Sequence, residues 1–431
     1  MNDYKSKVTT ADEAVKRAIK DGDGLVLAHA AAYPALLAQA IVNNKECFKD
    51  LSEFHLVTLG EEPLATPEAA SFMRPRLGFL GGNTRDCIAE GRGDFVPMFF
   101  HEIPRAIREG DIPCDVLLTV VSYPDENGYC SFGVSSDYTK PAAEKARCVV
   151  VEMNKQMPYV GGDNKIHLSD IDYIVETDRA LPELPPPSIT EVEKGIGRNV
   201  AKLVKDGDTL QLGIGAIPDA VLLFLDDKKD LGLHTEMFSD GAIKLIKKGV
   251  INGSKKQIGK GKHVATFLMG TKELYDFVDH NPDVELYPVD YVNHPCTIMQ
   301  LDRIVSINSC IEIDLMGQVN SETIGPKQFS GVGGQVDYIR GAAMSKEGIS
   351  ILAIPSTARR GTVSRIVPTL AEGAAVTTSR NDIQYVVTEY GIAKLKGRSL
   401  RERAEALIAV AHPDFREELT VEMKKRFPQC K

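Results

Sequence analysis

Short Val/Leu/Ile runs alternate with helix-patterned stretches along this chain, and that alternation restricts its fold more than any other feature. GLVLAHA, FHLVTLG, DVLLTVV, ARCVVVEMN and YIVETD read as strands in the first half. DTLQLGIG, LGLHTEM, HVATFLM, RIVSINS, ISILAIP, AAVTTS and QYVVTEYG do so in the second. Continuously apolar runs belong to strands covered on both faces, so the pattern predicts an α/β fold around largely parallel sheets. ADEAVKRAIKDG, capped by Thr9 or Thr10, and YPALLAQAIVNN read as helices between the first strands. IPDAVLLFL carries Pro218 in its first helical turn, where a missing amide donor costs nothing. SDGAIKLIKKG has Ser239 or Asp240 near its cap, and LRERAEALIAVAH and DFREELTVEMKKRF close the chain as amphipathic helices. The halves share a plan but no sequence repeat.

A chain of 431 residues can fill more than one core, which suggests two or three domains. The densest proline cluster, Pro182 to Pro187, separates YIVETD from a helix that begins near Thr190. Read as an interdomain linker, it gives domains at 1–185 and 190–431; a compact loop inside one domain is the alternative. The net charge of −9 argues against a nucleic-acid binder but leaves small anionic ligands open. Eight cysteines (Cys47, Cys87, Cys114, Cys130, Cys148, Cys296, Cys310 and Cys430) form no CxxC pair. This disfavours a disulfide framework or a structural zinc site and fits a reduced, cytoplasmic protein. No signal-peptide core opens the chain and no apolar run is long enough to span a membrane.

Glu236, in LGLHTEMFSDGAIKLIKKG, follows a strand pattern and precedes a helix. An ionised carboxylate facing a pocket there is a candidate covalent nucleophile, and acid–base, binding and structural roles are open alternatives. Gly213 and Gly215, where LQLGIGAIPDA turns from strand to helix, allow close backbone approach by a ligand. A dinucleotide fingerprint would need a third glycine where Pro218 stands, which disfavours NAD. In FSGVGGQVDYIRGA, the residues Gly331, Val332, Gly333, Gly334 and Gln335 form a second glycine loop. It is a ligand-approach loop or a surface loop. His29 ends a strand-like run and His55 lies inside the next; each is a cleft, core or surface histidine, and His167, His263 and His294 carry the same ambiguity. No HExxH or comparable spacing supports a metal, and no GxSxG supports a serine hydrolase. IPSTARR (354–360) and SRN (379–381) follow strand patterns, in turns suited to phosphate binding or helix capping.

FHLVTLG, EGRGDFVPMFFHEIP, SYPDENGYCSFGVSSDY, LQLGIGAIPDAV, HTEMFSDG, VDYVNHP, KQFSGVGGQVDYIRGA, TTSRND and TEYGIAKLKGRS occur in one order across nearly the whole chain. Together they closely resemble the acetyl-CoA hydrolase/CoA-transferase family, especially its 4-hydroxybutyrate and butyryl-CoA:acetate CoA-transferase members. The resemblance implies two open α/β CoA-transferase-like domains with the active site between them. It implies that Glu236 is the catalytic glutamate and that Gly213 and Gly215 form the turn beside the acyl site. It further implies that Gly331 to Gly334, with Gln335, form the loop that approaches coenzyme A, and that Gln211, His29 and His55 line the acyl-binding region.

The implied reaction moves CoA between a short-chain acyl-CoA and a free carboxylate by a ping-pong route through a glutamyl-CoA thioester. The favoured pair is 4-hydroxybutyrate with acetyl-CoA or butyryl-CoA. Butyryl-CoA:acetate transfer, short-chain acyl-CoA hydrolysis and non-catalytic metabolite binding are the alternatives. CoA is then substrate, product and covalent partner, with no metal or other nucleotide cofactor. The implied partners are small carboxylates and acyl-CoA thioesters in a homodimer, with higher assembly open, and neither nucleic acid nor membrane.

Overall fold

Leu25 and Leu27 face one side of their strand and Val26 the other, and both sides are buried. The computed structural model describes residues 4–213 and 215–428, so Cys430, Ile214 and the first three residues lie outside it. The chain divides into two units, each described by itself. The first comprises Met1–Pro185, Met237–Asp240 and Val264–Val292. The second comprises Pro186–Glu236, Gly241–His263 and Asn293–Lys431. The proline-rich stretch 178–190 contains no helix or strand.

The first unit is built on a seven-stranded sheet. Its order is Tyr173–Thr177, Cys148–Asn154, Val116–Val121, Gly24–Leu27, Leu51–His55, Met73–Leu77 and Asp94–Phe95. Every pairing is parallel. Successive side chains on a strand point to opposite faces, so an all-apolar strand feeds two cores at once. On one face Leu25, Leu27, Val116, Leu118 and Val150 pack with Val15, Leu37 and Ile41 of helices Ala11–Ala18 and Ala35–Asn43. On the other, Val26, Leu117, Val149 and Val151 pack with Ile103, Ile107 and Ala142, and with Met237, Phe267 and Val289 from the returning segments. Thr10 caps the first helix by accepting from Glu13 N at 3.3 Å.

Six strands of the second unit's main sheet run in the order Gly391–Lys394, Tyr385–Thr388, Ile349–Ala353, Ile304–Asn308, Thr209–Leu212 and Gly232–His234. Among these six, all pair in parallel except the terminal hairpin 385–394. Helix Glu191–Ala201 opens with a full capping box, in which Thr190 and Glu193 satisfy each other's backbone amides. Ser399 and Glu402 do the same for Leu400–Val410. Gly197 lets helix Glu191–Ala201 lie directly on Ala216–Leu222, since a Cβ there would stand 2.6 Å from Ala220 O.

Two strand expectations shift. FHLVTLG pairs as Leu51–His55, beginning earlier and ending at His55, because Ser52 and the buried Glu53 are part of the strand. AAVTTS makes a single bridge, Thr378 to Val319, and Val376 is half exposed; its neighbours offer no ladder to join.

A buried polar cluster closes the carboxyl end of Leu51–His55. His55 Nδ1 lies 2.8 Å from Glu53 Oε2, and His55 Nε2 lies 3.6 Å from Glu62 Oε2. Tyr33 donates to Glu62 Oε1 at 2.5 Å. Burial pulls the His55 imidazolium down, but the carboxylates of Glu53 and Glu62 outweigh it and raise its pKa to about 9. Burial raises Glu62 to about 7 against the opposing pull of His55. Both groups hold protons more tightly folded than unfolded, so both stabilise the fold at low pH and lose that contribution as pH rises. The window for Glu62 runs from about 4.5 to about 7, and that for His55 from about 6.5 to about 9. Thermal unfolding followed across this range is therefore expected to show a midpoint that falls as pH rises. Glu62→Gln should flatten the lower part and His55→Gln the upper. A parental midpoint that is level from pH 5 to 9 would contradict this account of the cluster.

Candidate active site

Parallel strands end together, and ligand-binding groups gather where the strand order reverses at their carboxyl ends. In the second unit that reversal falls between Thr209–Leu212 and Ile304–Asn308. Gln211 sits there, 2% exposed. Its Oε1 accepts from Ser306 Oγ at 2.7 Å and from Asn308 Nδ2 at 3.0 Å, so three polar side chains fix one another. Gly213 follows; its N–H donates to Ile307 O at 3.0 Å and is not available to a ligand. Gly215 caps the next helix at φ +109°, a conformation that glycine adopts without strain.

Glu236 leaves the end of the adjacent strand, Gly232–His234. Thr235 ties this exit to the neighbouring strand: its Oγ1 donates to Leu212 O at 3.0 Å and accepts from Leu212 N at 3.1 Å. Glu236 is half-buried. Asn293, fully buried, donates from Nδ2 to Glu236 Oε2 at 2.6 Å. Asn293 Oδ1 is buried without a hydrogen-bond partner among the described residues. A Cβ at Gly334 would overlap both Glu236 Oε2 and Asn293 Nδ2, so the carboxylate fits only beside a residue with no side chain. The buried phenol of Tyr338 is pushed well above its usual pKa by burial, then by the carboxylates of Glu236 and Asp337.

The Gly331–Gly334 loop leads into helix Gln335–Met344. The amide N–H groups of Gly331, Val332, Gly333 and Gly334 have no acceptor among the described residues. Successive free amides beside a helix start suit an anion or a developing oxyanion. Gln335 is turned away from this task, since its Nε2 donates to Ser321 Oγ at 2.9 Å and Thr378 Oγ1 at 3.0 Å, anchoring the loop.

His29 and His55 both belong to the first unit. His29 stands at that unit's own reversal point, between Gly24–Leu27 and Val116–Val121, with Nδ1 held by Asp137 Oδ2 at 3.0 Å. The Phe267 ring lies 4.3 Å from its ring centre. His55 is enclosed in the cluster with Glu53 and Glu62. His167 and His294 are helix caps, accepting from Ser169 N and Cys296 N. Among the described residues no group of three or more His, Cys, Asp or Glu is placed to hold a metal ion, and no helix is long and apolar enough to cross a membrane.

Sequence reasoning singled out Glu236 and the glycine loop but not Asn293. Asn293 lies in VDYVNHP, 57 residues from Glu236, where it reads locally as a turn residue.

Comparison with known proteins places these residues in a family. Residues 1–184 match the model for the acetyl-CoA hydrolase/transferase N-terminal domain, and residues 270–423 match that for its C-terminal domain. The chain is 58% identical to the 4-hydroxybutyrate coenzyme A transferase of Clostridium kluyveri, over 98% of this chain and 99% of the relative. It is 45% identical to the succinyl-CoA:cyclohexane-1-carboxylate CoA transferase of Geobacter metallireducens, over 97% and 95%. A solved 4-hydroxybutyrate CoA-transferase from Porphyromonas gingivalis superposes with a TM-score of 0.87 at 49% identity, over 98% and 99%. The chain thus belongs to the acetyl-CoA hydrolase/transferase family, with its two-domain α/β CoA-transferase-like fold, and is a CoA-transferase.

Proposed function

We propose that this enzyme transfers CoA between acetyl-CoA or butyryl-CoA and 4-hydroxybutyrate, through a thioester on Glu236. The observation that carries the route is the Glu236 carboxylate, held by Asn293 against a glycine loop with four unpartnered amides. The substrate choice is supported by the 4-hydroxybutyrate transferases among the relatives.

A Glu236 oxygen attacks the thioester carbonyl; the C–S bond breaks, and a mixed acyl–glutamyl anhydride and CoA thiolate result. The thiolate attacks the glutamyl carbonyl, releases the first carboxylate and leaves a glutamyl-CoA thioester. An incoming carboxylate reverses both steps. Each tetrahedral intermediate carries an oxyanion, for which the Gly331–Gly334 amides are donors; loss of one such donor costs roughly 3 kcal/mol in comparable enzymes. Asn293 keeps the carboxylate oriented, and its unpartnered Oδ1 offers an acceptor to a bound N–H or O–H. Water must be kept from both intermediates, since its attack would convert transfer into hydrolysis.

Incubation with acyl-CoA alone, followed by borohydride, should reduce the thioester and leave a mass change confined to the peptide containing HTEMFSDG. An enzyme that exchanges CoA freely yet yields no such adduct would refute the covalent route. Asn293→Ala removes a hydrogen bond to a charged group, worth roughly 1.5–3 kcal/mol, so kcat should drop by about 10- to 100-fold while KM changes little. An unaffected kcat would remove Asn293 from the mechanism. For the substrate, acetyl-CoA and butyryl-CoA should be offered with acetate, butyrate, propionate, succinate or 4-hydroxybutyrate. The rate with 4-hydroxybutyrate is expected to match or exceed that with butyrate; a rate far below it, or fast thioester loss with no acceptor, would overturn the assignment.

A further inference from the structure

We infer that Asp240, latched to Thr271, is a positioning residue for the Glu236 carboxylate; the inference rests on the covalent reading above. The chain crosses between the two units at this glutamate. Glu236 ends a stretch of the second unit, Met237–Asp240 belongs to the first, and Gly241 returns to the second. Before Glu236 the backbone is fixed by Thr235, whose Oγ1 bonds both Leu212 N and Leu212 O. A side chain whose backbone is held from one side alone keeps freedom to swing. After Glu236, the hold comes from the short excursion Met237–Asp240.

The excursion is anchored at both ends. Met237–Phe238 pairs in parallel with Phe267–Leu268, and Met269 N donates to Phe238 O at 3.3 Å. The partner strand is itself secured, since Leu268 N donates to Val134 O at 2.8 Å, and Met237 and Phe267 share one buried cluster. So short a two-stranded ladder is marginal by itself, and its far end needs a second hold. Asp240 supplies it: Oδ1 accepts from Thr271 Oγ1 at 2.6 Å and Oδ2 from Thr271 N at 2.9 Å. The approach is close enough to exclude a side chain at Gly270, where a Cβ would overlap Asp240 Oδ2.

Local sequence gives Asp240 a different task, as a cap for the helix that follows it. That helix, Ile243–Lys247, has no side-chain cap. The carboxylate turns instead to the residue before helix Lys272–Val278, 31 residues further along the chain. Two bonds from an ionised carboxylate to one residue fix a direction as well as a distance. Beyond the latch the return is equally tight, since a Cβ at Gly241 would stand 2.5 Å from Asp219 Oδ1. The tolerance at the glutamate is small. Asn293 Nδ2 stands 2.6 Å from Glu236 Oε2. A reacting group misplaced by ~1 Å can lose about 100-fold in rate.

The test follows the first half-reaction, formation of the Glu236 adduct from acyl-CoA alone, by mass. It compares the parent with Asp240→Ala, Thr271→Val and Thr271→Ser. Rates are read well below each variant's own unfolding midpoint, where all chains are folded. A latch that only stabilises the fold would lower that midpoint and leave the rate constant alone. In Asp240→Ala the rate constant should fall about 10- to 100-fold, while the half-saturating acyl-CoA concentration stays within about 2-fold of the parent's. Thr271→Val keeps the backbone donor and loses the hydroxyl, so its rate constant should fall by about 3- to 10-fold, and Thr271→Ser should recover that loss. A parental rate constant in Asp240→Ala overturns the inference and leaves the latch a structural role. If Asp240→Ala fails to fold, Thr271→Val decides by the same criterion. Failure of the parent to form the adduct would instead overturn the covalent reading beneath.

Discussion

The 2.6 Å hydrogen bond from Asn293 Nδ2 to Glu236 Oε2 is possible only because residue 334 has no side chain. A carboxylate with the proposed nucleophilic role must be held in one orientation. The amide of Asn293 does this by donating to one oxygen. Gly334 leaves the room this geometry needs, because any larger residue would occupy the space that the carboxylate itself fills. The remaining machinery follows from this contact: the loop that brings Gly334 to the glutamate also brings four amides without acceptors. The proposed nucleophile and the proposed donors for its oxyanions are therefore set in place together.

Parallel strands make that convergence possible. Glu236 and Gly213 follow the carboxyl ends of adjacent strands, and Asn308 ends the next one, all in one parallel register. The polar groups at the reversal point are stabilised by one another, as Gln211, Ser306 and Asn308 show. The first unit uses the same plan for different ends. There the strand exits carry His29 on Asp137 and the enclosed His55 beside Glu53 and Glu62.

Local sequence carried much of this. Apolar runs signalled the doubly covered strands, and Thr10, Thr190 and Ser399 cap helices at or beside the expected starts. The glycine loop and Glu236 stood out because glycines in close succession and a carboxylate at a strand end are local signals. Asn293 was not legible, since its role depends on a neighbour 57 residues away. FHLVTLG misled because a strand containing a glutamate looks exposed until its histidine partner is seen two residues on. AAVTTS is apolar enough for a strand, but apolarity does not supply a ladder partner.

The first unit is assembled from three separate stretches of chain, and this bears on the order in which the protein can form during synthesis. Met237, Phe267, Met269 and Val289 all belong to one of its buried clusters, and Met237–Phe238 pairs in parallel with Phe267–Leu268. A ribosome that has released only the first 185 residues has delivered a complete seven-stranded sheet with one face still lacking part of its cover. That apolar surface stays open until residue 292 emerges. The nascent chain thus passes through an interval of more than one hundred residues in which it is exposed to misassociation, and chaperone contact in that interval has a defined target.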